Sequence, residues 1–157
     1  MDNQQPRRGI DDFISYISAQ AALAPPGYPG AAWFILQTCA ECANIRLQDL
    51  GNLRRFLRQM AGSPPLRFNT AGFRPELVDD RNPVRHYMAF VFVGFWAPNP
   101  IGITMLYAWE MAGFVRYGGV WSPRDIACGQ VGLRHGALVA RFSPAVLPGL
   151  IAGELAR

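Results

Sequence analysis

The sequence predicts an all-α single domain of five to seven helices with a central apolar helical hairpin. Apolar residues recur at spacings of three and four in several stretches, as on one face of a helix, and no alternating strand pattern is found. Half of the 157 residues are apolar and 17% are charged, against about 25% in typical soluble domains. A chain of this length can bury a sizeable core. We therefore expect a flexible tail at residues 1–9 and one helical domain at residues 10–157.

The first part of the chain contains two predicted helices. Residues 11–24 begin with two acidic side chains, which is typical of a helix start, and the proline- and glycine-rich stretch 25–30 ends this helix. From residue 31 to residue 60 the apolar spacing predicts one long amphipathic helix that Gly51 could bend or split. Residues 62–82 form a predicted irregular linker, and loops of this length in compact domains are typically functional or packed as an arm.

The middle of the sequence predicts the apolar hairpin. Asn82 is a suitable N-cap, and Pro83 occupies the first helical position, where proline is tolerated best. The 23 residues from Tyr87 to Trp109 carry no charge, which is nominally enough to span a bilayer. A Pro-Asn-Pro sequence near the middle of this run favours a turn between two helices. A buried helical hairpin and a membrane-inserted or membrane-facing hairpin both fit this pattern.

The next predicted helix begins at Ser122 and contains three glycines, although each costs about 1 kcal/mol relative to alanine in a helix. Gly129, Gly132 and Gly136 fall on one stripe of the helix surface. A stripe without side chains lets a second helix backbone approach closely, so we assign these glycines to helix packing. Asp125 lies on the same stripe and should meet the same neighbour. Its spacing from Ser122 also fits a capping box, which would assign it to the helix start instead.

Ionisable residues within the apolar helices form the candidate site. His86 follows Arg85 near the start of the hairpin, and Glu110 directly follows the uncharged run. Because a buried carboxylate needs a partner, we expect Glu110 and Asp125 to lie close to His86 or Arg85. Such a cluster could hold a divalent metal ion or act in acid–base catalysis, or it could be a structural network that fixes helix register. In a catalytic role the imidazole and the two carboxylates would carry the chemistry, and Arg85 would bind an anionic substrate group.

The order of these motifs resembles that of some bacterial all-α domains. The segments are RNPVRHYMAF, YAWEMAGF and SPRDIACGQVGLRHG, within residues 79–136. They are similar to toxin-like domains with an Arg-His-Ala-Tyr-Trp helix and to the VanZ-like and YfiM-like families. Carried over by position, the resemblance implies a site at Arg85, His86, Glu110 and Asp125. The chain differs from the toxin-like pattern at Trp109, where histidine is usual, and at Gly129, where asparagine is usual.

Composition disfavours several other classes of site. Three cysteines, at 39, 42 and 128, are too few for a disulfide scaffold. We expect Cys39 and Cys42 to be small buried apolar side chains. The net charge of +4 comes from arginine without any lysine and is spread along the chain. Its densest cluster is at Arg54, Arg55 and Arg58, which no nucleic-acid motif accompanies, so nucleic acid is not the expected partner.

Two function classes stay open. The first is a hydrolase-like or secreted effector-type domain that acts through the polar cluster. The alternative is a non-enzymatic helical subunit of a larger or membrane-associated assembly, which docks through its hairpin and glycine stripe. The low charge favours a protein partner or a second copy, and membrane contact fits as well. Because no secretory signal is visible, the expected location is the cytoplasm, a membrane surface, or the outside after a specialised export route.

Overall fold

The computed structural model describes residues 9–52, 54–56, 58, 66–79, 81–116 and 118–157. These residues form an all-α domain, as the sequence predicts. Most of the predicted N-terminal tail, residues 1–8, lies outside the described part. The helices are α1 (Ile10–Leu23), α2 (Gly27–Ala43), α3 (Leu47–Leu50), α4 (Pro83–Trp96), α5 (Asn99–Arg116), α6 (Pro123–Arg141) and α7 (Leu147–Glu154). Short 3₁₀ turns are found at Pro75–Leu77 and Pro144–Val146.

The amphipathic helix predicted from residue 31 to residue 60 ends earlier than its apolar spacing indicates. α2 stops at Ala43, because Asn44 adopts the left-handed conformation with φ of 59°. Asparagine is, after glycine, the usual residue for this type of helix end. The chain then enters the short helix α3, so the break lies seven residues before Gly51. Part of the predicted pattern lies outside the described residues, at positions 53, 57, 59 and 60.

Helix α4 lies at the centre of the fold, and α6 packs closely along it. A β-carbon added to Gly136 would lie 2.1 Å from the carbonyl oxygen of Val91, and one added to Gly132 would lie 2.7 Å from that of Tyr87. The residue numbers increase in the same direction along both helices, from Tyr87 to Val91 and from Gly132 to Gly136. The helices α4 and α6 are therefore parallel. Gly129 instead leaves room for Leu106 of α5, whose Cδ1 would be 2.4 Å from an added β-carbon.

The predicted hairpin forms between α4 and α5, but its two helices differ in environment. The residues that α5 buries are Gly102, Leu106 and Glu110, one narrow stripe at intervals of four. Large apolar side chains are exposed on its other sides at Ile101, Ile103, Met105, Tyr107, Met111 and Val115. The first helix of the hairpin is therefore central, and the second lies at the surface. Among the described helices, none has both the length and the apolar character needed to cross a membrane.

The described part of the predicted linker, residues 66–79, packs as an irregular arm. The side chains of Phe68 and Phe73 are buried in the main core. Phe73 also forms an isolated antiparallel bridge with Ala156, and Nε of Arg74 donates to the Ala156 carbonyl at 2.9 Å. The arm therefore fixes the last residues of the chain to the core.

Candidate functional site

Three helices position the predicted site residues. His86 lies in the first turn of α4, Glu110 on the buried stripe of α5, and Asp125 in the first turn of α6. The side chain of Asn82 accepts a hydrogen bond from the backbone N–H of Arg85 at 3.3 Å. Ser122 caps α6 in the same way, and its hydroxyl accepts from the backbone N–H of Asp125 at 3.1 Å. Both helices therefore begin where their caps predict.

The three side chains converge on one place. One potential ligand atom from each of His86, Glu110 and Asp125 lies within 4.8 Å of the other two. Nε2 of His86 is 3.8 Å from Oε1 of Glu110. The same nitrogen is 2.8 Å from the backbone carbonyl oxygen of Asp125. Because a carbonyl oxygen only accepts hydrogen bonds, Nε2 carries the proton in this contact.

Burial and neighbouring charge change the acidity of the site. The side chains of His86 and Glu110 are 13% and 9% exposed. Burial, followed by the negative charges of Asp125 and Asp79, raises the pKa of Glu110 to about 7. All three influences act in the same direction, since each disfavours the ionised carboxylate. The site therefore combines partial dehydration with an accumulation of acidic groups.

The imidazole of His86 is also held by an aromatic neighbour. Its ring centroid lies 5.0 Å from that of Phe90, one turn further along α4. The hydrogen bond to Asp125 and this ring contact together restrict the imidazole orientation. Arg85 precedes His86 on α4 and is half-buried. Its assignment to substrate binding stays a prediction, as do the catalytic roles of the other three residues.

A second polar cluster, formed by Tyr87, His135 and Glu154, was not predicted from the sequence. His135 is completely buried in α6, with Nδ1 2.8 Å from the Tyr87 hydroxyl. Its Nε2 lies 3.2 Å from Oε1 of Glu154, close but not aligned as a hydrogen bond. Arg134 forms an ion pair with the same carboxylate. The sequence signal was the second Arg-His pair, at residues 134 and 135, which repeats the pair at 85 and 86.

The cysteines have the environment of apolar core residues. The side chains of Cys39, Cys42 and Cys128 are buried, and these cysteines are thiols and not halves of a disulfide. Burial raises the pKa of Cys42 to about 12 and that of Cys39 well above its usual value. Thiolates, which bind metals and attack electrophiles, are therefore disfavoured at these two positions.

The arginine-rich segment follows the end of α3. Arg54, Arg55 and Arg58 line a groove together with Asn52. Nε of Arg55 is 2.8 Å from Oδ1 of Asp49, whose side chain is 3% exposed. Part of the charge of this segment is therefore used in an ion pair within the fold.

Comparison of the chain with protein-family models, curated protein sequences and solved structures found no match. The resemblance to bacterial toxin-like, VanZ-like and YfiM-like domains therefore stays a prediction. What the protein does has to be inferred from the chemistry of its own residues.

Proposed function

We propose that His86, Glu110 and Asp125 form the active site of a hydrolase-like domain. The observation that carries this proposal is the convergence of an imidazole and two carboxylates from three helices within 4.8 Å. Apolar side chains would pack between these helices without the cost of dehydrating ionisable groups. Groups that lower the stability of the fold in this way are commonly found at active sites, where function requires them.

The proposed roles follow from the properties of each group. Neutral imidazole is the usual general base near neutral pH, so His86 would activate a water molecule. Its side chain is partly exposed, so solvent can reach it. The carboxylate of Glu110 would stabilise the imidazolium that forms when His86 takes the proton. Arg85 would bind an anionic group of the substrate, as guanidinium does for carboxylates and phosphates.

The experiment compares hydrolysis of chromogenic carboxylic esters, phosphate monoesters, phosphodiesters and glycosides by the purified protein. We expect one ester class to be hydrolysed, and His86→Ala, Glu110→Gln and Asp125→Asn to reduce its kcat/KM by about 100-fold or more. Asp12→Asn is the control, because Asp12 is an exposed carboxylate in α1. Hydrolysis of none of these substrates, or equal rates in the site variants and the control, would contradict the proposal.

A second candidate function is supported by the exposed apolar surface of α5. Val115 is 75% exposed, Ile101 54% and Met111 53%, and the helix carries no charged residue before Glu110. Exposed apolar patches of this kind mark interaction sites in soluble proteins. In this alternative the chain is a non-enzymatic helical subunit that docks through α5. Sedimentation velocity without detergent tests it, because a monomer at every concentration would argue against docking between copies.

A further inference from the structure

We infer that His86, Glu110 and Asp125 bind a divalent transition-metal ion of the Zn²⁺ or Mn²⁺ type. The inference rests on the proposed function in that it concerns the same site, but it makes His86 a metal ligand in place of a general base and assigns the activation of water to the ion. Binding of the ion is nevertheless measurable without any substrate.

The spacing of the donor atoms suits a single cation. Metal bonds to histidine nitrogen and carboxylate oxygen are about 2.0 to 2.2 Å long, so two donors on one ion lie at most about 4.4 Å apart. Nε2 of His86 and Oε1 of Glu110, at 3.8 Å, are already within this range. One potential ligand atom from each of the three residues lies within 4.8 Å of the other two. This is slightly more than the limit, so a small movement of one side chain would bring all three donors within range of one ion.

The hydrogen bond of His86 shows what binding would displace. Nε2 now donates to the Asp125 carbonyl oxygen at 2.8 Å. When a cation takes the lone pair of Nε2, the neutral imidazole carries its proton on Nδ1 instead. Binding of a cation at Nε2 would therefore break this hydrogen bond.

The electrostatic environment favours a positive ion. Glu110 is mostly buried, and the carboxylates of Asp125 and Asp79 are close enough to disfavour its ionisation. A divalent cation would reverse this, since its charge stabilises each ionised carboxylate around it. The resulting site places a metal where three helices meet.

The mixed donor set selects the type of metal. Mg²⁺ and Ca²⁺ prefer sites made entirely of oxygen atoms, whereas imidazole nitrogen favours transition metals such as Zn²⁺. The three donors include no cysteine, whereas most structural zinc sites contain cysteine ligands. Three side-chain ligands also leave a coordination position for water, as in catalytic zinc sites.

Isothermal titration of chelator-treated protein with ZnCl₂ and with MnCl₂ tests the inference, and thermal unfolding is the second readout. We expect one ion per chain and a higher Tm in its presence. His86→Ala and Asp125→Asn should each weaken binding at least tenfold. Asp12→Asn is the control for a carboxylate, and Cys42→Ala excludes zinc bound by a thiol. Asp125→Asn keeps the shape of the residue, so the comparison holds even where His86→Ala does not fold.

Absence of binding heat and of a Tm change with both metals would overturn the inference. So would equal affinity for Mg²⁺ or Ca²⁺, or unchanged binding in the site variants. The proposed function fails separately, because metal binding without hydrolysis supports the inference and contradicts the hydrolase. Hydrolysis that persists in the presence of a chelator, in a protein that binds neither metal, would support the hydrolase and overturn the inferred metal site.

Discussion

The hydroxyl of Tyr87 on α4 lies 2.8 Å from Nδ1 of His135 on α6, and both side chains are fully buried. Burial raises the pKa of the Tyr87 phenol well above its usual value, so the hydroxyl keeps its proton. The opposite ring nitrogen faces the carboxylate of Glu154 on α7. Neutral His135 therefore carries its proton on Nε2 and accepts from Tyr87 at Nδ1. One imidazole thus connects three helices.

We predict that protonation of His135 destabilises the fold. Burial lowers the pKa of His135, and the neighbouring Glu154 only partly offsets this. A histidine in the unfolded chain has a pKa of about 6.5, so below that pH the unfolded state binds the proton more readily. The contribution of His135 is complete above about pH 6.5 and is lost as the pH falls towards its lower folded-state pKa. Urea unfolding from about pH 7.5 to about pH 5 measures this loss.

The control for this prediction is His135→Gln, which cannot titrate. The difference in unfolding free energy between the wild-type chain and this variant should narrow as the pH falls. Taking the difference removes the contributions of other groups, including Glu110, whose titration acts in the opposite direction. If the unfolding free energies of the two proteins changed in parallel with pH, His135 would have the same pKa in the folded and unfolded states, and the prediction would be wrong.

We predict that Glu110→Gln stabilises the metal-free protein at about pH 8. The pKa of Glu110 is raised to about 7 from a usual value of 4.5, chiefly by burial. The ionised form is therefore disfavoured in the fold, and stability falls as the pH rises from about 4.5 to about 7. The shift corresponds to at most about 3 kcal/mol. Chemical unfolding in the presence of a chelator should show a gain in this direction.

Glu154→Gln provides the matched comparison for that experiment. Burial tends to raise the pKa of Glu154, but His135 and Arg134 outweigh it, and the net effect lowers the pKa. Its ionised form is thus favoured in the fold, so the same chemical change should destabilise the protein. A loss of stability in Glu110→Gln as well would identify the His86 cluster as a structural network.

We predict that Gly136→Ala destabilises the protein by about 1 to 3 kcal/mol, because the helices have no space for a methyl group. The new β-carbon would lie 2.1 Å from the Val91 carbonyl oxygen and 2.7 Å from the Phe95 backbone nitrogen. Gly113→Ala in α5 is the control, since an added β-carbon there meets nothing within 4 Å. It should be neutral or stabilising by up to about 1 kcal/mol. Equal denaturation midpoints for the two variants would contradict close packing of α6 on α4.

Local signals explain which parts of the fold the sequence predicts. The starts of α4 and α6 depend on Asn82 and Ser122, whose side chains bond to a backbone N–H three residues away. The end of α2 also depends on one residue, Asn44, but the apolar spacing continues past it and conceals the break. Asparagine occurs both within helices and at their ends, so the presence of Asn44 alone does not show that the helix ends there.

The sequence predicts the residues of the candidate site but not the second polar cluster at Tyr87, His135 and Glu154. Glu110 and Asp125 are conspicuous because one interrupts an apolar helix and the other shares a stripe with glycines. His135 lies among the glycines of α6, but its partner Tyr87 is 48 residues away and occupies an apolar run. Tyrosine is ordinary core filler in such a run, so only the folded chain reveals the contact. The sequence also does not decide whether α5 is exposed, because an uncharged apolar helix fits a buried hairpin and a membrane-facing hairpin equally well.

We predict that Ile101→Lys and Met105→Lys leave the unfolding free energy within about 0.5 kcal/mol of the wild-type value, because both side chains lie at the surface. They are 54% and 48% exposed and fall on the same side of α5. If α5 docks against another chain, each lysine must be dehydrated there, so association measured by sedimentation velocity should decrease. Leu106→Ala is the contrasting variant, since this fully buried residue should cost about 2 to 5 kcal/mol. Unchanged association in both lysine variants would place the docking surface elsewhere.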